Sequence, residues 1–318
     1  MKTLVTGGAG FLGSVLVDRL LAEGHAVDVV DDLSTGSLAN LADARADAAG
    51  AFSFHRLDVR GPEVIELLGH RRPDVVFHLA GHSDARASLE RPLLDAQVTV
   101  LGSLQVLEAA RRAGVRKVVY ACSAASLYGA VEAKELPVSE SRTPRPATPH
   151  GVAAKAVWEY LSMYRDVHGL EFTALALGDV YGPRQDPGRH TGVVAIFAGN
   201  LLAGRPCTIF GDGRQTIDGV FVDDAVDALA RAGERGSGLL INVGTGIETA
   251  LNDLFALVGA AAGTASPATY QPARPGDAGR RCLNPARAAL HLGWKPWTTV
   301  DVGVDATVRW LRERPGAG

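Results

Sequence analysis

Cysteine is scarce in this chain. Cys122, Cys207 and Cys282 are the only three in 318 residues; they lie far apart and form no Cys-x-x-Cys pair. That argues against both a disulfide framework and a zinc site, and the three thiols read as small buried hydrophobes. An excess of one charge is also missing. The formal net charge is −3 and the basic residues are spread along the chain, so no electrostatic footprint for nucleic acid is present. No stretch approaches the roughly 18 uninterrupted apolar residues of a membrane span. The N-terminal MKTLVTGGAG runs into a strand and a glycine loop, without the charged region, apolar core and cleavage site of a signal peptide. What these absences leave is a soluble, cytoplasmic protein with a small-molecule partner and no metal.

What is present is ordinary globular composition, 47% hydrophobic and 21% charged, over a length that suits one large α/β domain or two unequal ones. Short apolar runs alternate with amphipathic helical stretches through the first half, the pattern of a doubly wound parallel sheet covered by helices on both faces. KTLVTG, AVDVVDD, FSFHRLDV, DVVFHLAG, KVVYACSAAS and FTALALGDVYGP read as six successive strands, the last running into a loop. PLLDAQVTVLGSLQVLEAARRAG reads as one long helix closed by Gly114. Beyond about residue 183 the pattern loosens. The expectation is a Rossmann-type domain over 1–182 and a smaller substrate-binding lobe over 183–318, with a strand near 239–244 returning to the first sheet.

TGGAGFLG places Gly7, Gly10 and Gly13 between the first strand and its helix, at Gly-x-x-Gly-x-x-Gly spacing. Such a loop lets backbone approach a pyrophosphate and aims a helix N-terminus at its charge. Asp31 ends the second strand about 20 residues on, where a carboxylate accepts hydrogen bonds from the adenosine ribose and repels a 2′-phosphate. NAD is therefore expected rather than NADP. Asp58 in RLDV reads as an adenine-side carboxylate.

VTGGAGFLG, DDLSTGSLANL, FHLAG, YGPRQDP, GVVAIF, IFGDGRQT, FVDDAVDA and LGWKP, in that order, resemble the extended short-chain dehydrogenase/reductase superfamily. Within it they resemble the NAD-dependent epimerase/dehydratase branch and its UDP-galactose 4-epimerase-like members. The resemblance implies a cofactor site that adds Phe11, Leu12, Asp32, Val59, Leu79, Ala80 and Gly81 to the residues above. It implies bound NAD, a nucleoside-diphosphate sugar as substrate, and a homodimer packed through the helices at 94–113 and 149–168. Trp158, where the family is usually acidic, could face either the partner or its own core.

It also implies a catalytic Ser or Thr, a Tyr and a Lys, and there the chain departs. Four residues before the Tyr of Tyr-Gly stands Ala124, flanked by Ser123 and Ser126, catalytic candidates of which one could stand in only by a shift of backbone or rotamer. Read without gaps from Pro149 to His168-Gly169-Leu170, the family's Pro-Tyr-x-x-x-Lys places His150 at the Tyr and Ala154 at the Lys. A shifted reading puts Lys155 at the Lys position, but leaves Gly151 for the Tyr and supplies no base.

With Thr148 as cap and Pro149 first in the helix, Ala153, Val157, Tyr160, Leu161 and Tyr164 form an apolar stripe. Lys155 then points to solvent with Glu159 as its i,i+4 partner. His150 is a candidate base, because histidine titrates near 6.5 without help from a lysine. His82 is a second candidate, and His78 reads as structural. On the substrate side Asp179 replaces an Asn and Ile217 a phosphate-contacting Arg, while Arg274 matches the second such Arg; Val193 and Asp277 complete the set the resemblance implies. Three readings stay open: a redox epimerase, dehydratase or other lyase with an altered constellation, a non-redox enzyme on the same scaffold, and a catalytically silent NAD-binding protein.

Overall fold

The computed structural model describes residues 1–47, 50–81, 84–188, 192–273 and 279–313. Its centre is a seven-stranded sheet containing β1 (Lys2–Thr6), β2 (Ala26–Val30), β3 (Phe52–His55), β4 (Val75–His78), β5 (Lys117–Ser123), β6 (Glu171–Leu177) and the strand Leu239–Val243. From one edge the order is Leu239–Val243, β6, β5, β4, β1, β2, β3, and every pairing is parallel. The chain winds outward from β1 through β2 and β3, then crosses to β4 on the other side. The crevice between the carboxyl ends of β1 and β4 is thus the topological switch point, where such sheets bind ligands.

Strand periodicity explains the layers. Val5, Val29, Phe77 and Val119 point into one apolar cluster, with Leu16, Val17 and Leu20 of α1 (Phe11–Ala22) and with Phe197, Val226 and Leu229 from the second half of the chain. Their neighbours Leu4, Val30, Val76 and Val118 point into the other, with Val106 and Leu107 and with Val157 and Leu161 of the helix Pro149–His168. Alternate residues of buried parallel strands serve opposite faces, so the runs read as continuously apolar. Because the first cluster joins residues before and after 183, the two regions share one core.

Three expected elements are revised. KVVYACSAAS is a strand only to Ser123; Ala124–Tyr128 is a short helix, because the Ser123 hydroxyl accepts the Ser126 N–H and caps it. The third strand stops at His55, before Asp58. The long helix after Pro92 contains a π-helical segment over Ala96–Leu101, between α-helical Pro92–Asp95 and Gly102–Ala113. Such segments shift the side chains around them relative to an unbroken α-helix.

Candidate active site

The cofactor cradle is built by close backbone approach. A Cβ on Gly13 would lie 2.2 Å from the Gly7 carbonyl oxygen and 2.8 Å from Gly8 Cα. Gly7 has φ of +70°, and a Cβ there would meet the Ala80 nitrogen at 2.8 Å. The glycine loop thus packs against the Leu79–Ala80 backbone after β4, and Gly81 follows at the surface. Among the described residues no side chain caps α1, whose first turn holds Phe11, Leu12 and Gly13, so its N-terminal N–H groups are open to an anion.

Asp31 is buried and accepts the Ala9 N–H at 2.9 Å and the Leu33 N–H at 2.8 Å. Burial raises its carboxyl pKa, and those two N–H bonds partly offset the rise. It ties the glycine loop to the end of β2. Asp32 accepts from the Ser34 backbone and hydroxyl. Asp58 is engaged by the Arg60 guanidinium, which holds its carboxyl below the usual range. Val59 is buried beside it against Gly102. The cradle left free of side chains at Gly7 and Gly13, the uncapped helix and the acidic end of β2 together fit a dinucleotide.

On the other side of the crevice, Thr148 accepts the Gly151 N–H at 3.2 Å and starts the helix Pro149–His168. A Cβ on Gly151 would lie 2.1 Å from the Ser126 carbonyl oxygen, so the 124–128 helix is seated directly on this N-terminus. His150 is buried, its backbone N–H donates to Ser88 Oγ, and its Nδ1 lies 3.7 Å from Oδ1 of the fully buried Asp95. Ala124 and Ala154 are buried and carry no polar group. Ser123 and Ser126 are half-buried at the end of β5.

Two expectations for this helix are corrected. Tyr160 is exposed rather than part of the buried stripe, because the inward face turns through His150 and Ala154 as well as Ala153, Val157, Leu161 and Tyr164. Lys155 is half-buried rather than solvent-facing, and no Lys155–Glu159 ion pair forms among the described residues. Trp158 packs against its own chain's core. His78 is enclosed, with Thr6 Oγ1 at 2.7 Å from Nδ1 and Ser103 Oγ at 2.8 Å from Nε2; burial lowers its pKa to about 4.

Toward the second half of the chain, Asp179 stands two residues past Leu177, whose partner across the sheet is Ser123. Its Oδ1 receives Arg281 Nη1 at 2.7 Å. Ile217 is buried, and Val193 opens the helix Val193–Leu202. His82, Arg274 and Asp277 lie outside the described residues.

Residues 3–244 match the model of the NAD-dependent epimerase/dehydratase family. The chain belongs to that family. It is 45% identical to a UDP-glucose 4-epimerase of Mycolicibacterium smegmatis over 315 residues, 99% of each chain. Among solved structures it resembles the UDP-glucose 4-epimerase of Thermotoga maritima bound to UDP-glucose, with a TM-score of 0.94 and 37% identity over 98% of this chain and 99% of that one. It likewise resembles the Thermus thermophilus UDP-glucose 4-epimerase in complex with NAD, with a TM-score of 0.90 and 38% identity over 98% and 99%. For this member of the NAD-dependent epimerase/dehydratase family the cofactor is NAD, and the cradle between β1, β2 and β4 has the chemistry to hold it.

Three neighbours of this family site were not singled out from sequence. Asp95 stands in an apolar helix far along the chain from His150. Ser88 carries no motif. Arg281 follows another arginine in a segment without regular structure, and only the Asp at 179, where the family has Asn, hinted that a cation should be sought. None of the described residues forms a metal-binding cluster, and no helix among them is long and apolar enough to cross a membrane.

Proposed function

We propose that this chain epimerises or dehydrates a nucleoside-diphosphate sugar, with His150 as its acid–base group in place of the family's tyrosine. The observation that carries this reading is the buried approach of His150 to Asp95. A phenol needs a nearby cation to serve as a base near neutral pH, whereas an imidazole does not. A lysine beside an imidazole would oppose its protonation. Ala154, in the lysine's place, carries no charge, and the Asp95 carboxylate stands 3.7 Å from the His150 ring.

Bound NAD supplies a hydride acceptor at the sugar carbon. His150 removes the hydroxyl proton, and Asp95 stabilises the imidazolium. Ser123, whose oxygen accepts the Ser126 N–H as a cap, keeps its own hydroxyl proton to donate to the reacting oxygen.

A second reading, a catalytically silent NAD-binding protein, draws on Ala124 and Ala154, which offer nothing to substrate or ribose. The test begins with bound NAD(H) per chain, released by denaturation and measured by mass spectrometry. UDP-glucose, UDP-galactose and other nucleotide sugars are then added while bound-NADH absorbance and sugar products are followed. Near-stoichiometric cofactor with sugar-dependent reduction or a new sugar supports the enzyme. Cofactor without turnover across the panel favours the silent protein, and absence of cofactor binding overturns both.

The same chain is proposed to form a homodimer. Leu93, Leu101, Val152, Met163 and Val167 are large apolar side chains left exposed on the segment 92–101 and the helix Pro149–His168. At about 100° per residue, positions 152, 160, 163 and 167 fall within about 80° of one helix face. A single face of this kind suits a two-fold interface, in which the same patch serves both partners.

A further inference from the structure

We propose that Arg281 is the cation that binds the diphosphate of the substrate, replacing the arginine absent at position 217. The inference rests on the nucleotide-sugar reading above and names the residue that would fix the ligand's anionic end.

The sequence presented a difficulty on this side of the crevice. Ile217 stands where a phosphate-contacting Arg is implied, and Asp179 adds a negative charge where an amide is implied. An unpaired carboxylate next to a diphosphate would repel it. The structure resolves the difficulty, because Arg281 reaches Asp179 with Nη1 2.7 Å from Oδ1. Both side chains are only partly exposed, at 32% and 29%, so the pair is neither freely solvated nor sealed in the core.

The backbone that carries Arg281 is fixed on both sides. The Arg281 N–H donates to Thr216 Oγ1 at 3.2 Å, and the Thr216 N–H donates to the Gly279 carbonyl. Two residues on, the Leu283 N–H donates to the buried Asp218 carboxylate at 2.9 Å. The neighbouring Arg280 turns to Glu248, at 2.6 and 2.8 Å. Two adjacent arginines therefore have separate partners, and Arg281 is the one beside the carboxyl end of β6.

A guanidinium has five N–H donors, and Asp179 occupies Nη1. Nε of Arg281 is buried, with no hydrogen-bond partner among the described residues. The remaining donors suit a two-point contact with phosphate oxygens, the geometry for which arginine is adapted and lysine is not. Asp179 thus orients the cation rather than meeting the ligand. Ile217, 4% exposed and part of the apolar core, contributes no polar contact.

The experiment titrates UDP, dTDP, uridine and inorganic pyrophosphate into the NAD-loaded protein by calorimetry. The wild type is expected to bind at least one of the three phosphate-bearing probes. Arg281→Ala is expected to weaken that probe by about tenfold or more, and Arg281→Lys by less, as loss of a charge-assisted bidentate contact implies. Uridine, which has no phosphate, is expected to change little. Asp179→Asn, which removes the adjacent negative charge and leaves the guanidinium in place, is expected to bind the diphosphate at least as well as the wild type. NAD content and melting temperature are measured on each variant, and Arg281→Lys serves as the comparison should Arg281→Ala be unstable. A diphosphate that binds the wild type and both Arg281 variants equally overturns the role of Arg281 alone. A wild type that binds none of the three overturns this inference together with the nucleotide-sugar reading.

Discussion

Nδ1 of His150 lies 3.7 Å from Oδ1 of Asp95, with both side chains buried beneath the N-terminal turn of the helix Pro149–His168. The relationship joins two elements, since Asp95 ends the α-helical turn Pro92–Asp95 just before the π-helical segment.

His150→Ala is expected to lower kcat on the productive nucleotide sugar by about 10²–10⁴-fold, the usual worth of a positioned acid–base group. Bound NAD per chain should stay at the wild-type level. Asp95→Asn, which keeps the shape and removes the charge, is expected to give a smaller loss of about tenfold, the equivalent of about 1.4 kcal/mol. Lys155→Ala should leave kcat within about twofold. Steady-state kinetics on the three variants decide the matter; equal losses at His150 and Lys155 would show that the gapless reading of this helix is wrong.

Gly13→Ala is expected to empty the cofactor site. Its Cβ would sit 2.2 Å from the Gly7 carbonyl oxygen, and both groups are backbone, so neither can rotate away. The cost should be about 1–3 kcal/mol of stability, as for other overpacked positions, together with loss of bound NAD. Gly69→Ala is the contrasting change. Gly69 lies in the helix Glu63–Arg71, and beyond its chain neighbours and its own helix backbone no atom of the described residues comes within 4 Å of its Cβ position, so alanine there should stabilise by about 0.5–1 kcal/mol. Thermal melts and cofactor content of the two variants test the pair.

His78 makes acid stability predictable. Its pKa falls from 6.5 to about 4 in the folded protein because burial disfavours the imidazolium. The unfolded chain therefore binds the proton first. The neutral ring's contribution is fully present above pH 6.5 and is lost as pH falls from there through about 4. At 1.36 kcal/mol per unit, the loss is about 3 kcal/mol. His78→Gln, which can still bridge Thr6 and Ser103, should flatten the stability profile in that window. Denaturant unfolding of both proteins at a series of pH values would reveal it; an unchanged slope would mean that other groups dominate acid unfolding.

The parts of this molecule legible from sequence are those whose cause is local. TGGAGFLG announces a tight backbone approach because glycines are needed wherever Cβ atoms would collide, and Gly7 and Gly13 meet that condition. The continuously apolar strands announce a sheet buried on both faces. The short helix after Ser123 was hidden because Ala124–Tyr128 also continues a strand-like apolar run, and the decisive signal was one hydroxyl cap. The Asp95 and Arg281 contacts were hidden for another reason. Each joins segments that only the tertiary fold brings together, and neither Asp95 nor Arg281 belongs to a spaced motif. A helical wheel turns Lys155 toward solvent because it assigns a face by angle alone; one turn earlier, at Gly151, the helix meets the Ser126 backbone of the 124–128 helix.

Disruption of the exposed apolar face should separate the protomers of the proposed homodimer. Met163→Glu together with Val167→Glu places two like charges on the face that carries Val152, and a carboxylate buried there without a partner opposes association. Light scattering on the NAD-loaded protein is expected to give twice the chain mass for the wild type and the single-chain mass for the double variant. Leu290→Glu is the control. Leu290 is 78% exposed on the helix Ala286–Leu292, away from both dimer-face segments in sequence, and its loss should leave the dimer intact. Unchanged circular dichroism and cofactor content in the double variant would show that the subunits separated without unfolding. A wild type of single-chain mass would overturn the dimer and leave this apolar face without a partner of its own kind.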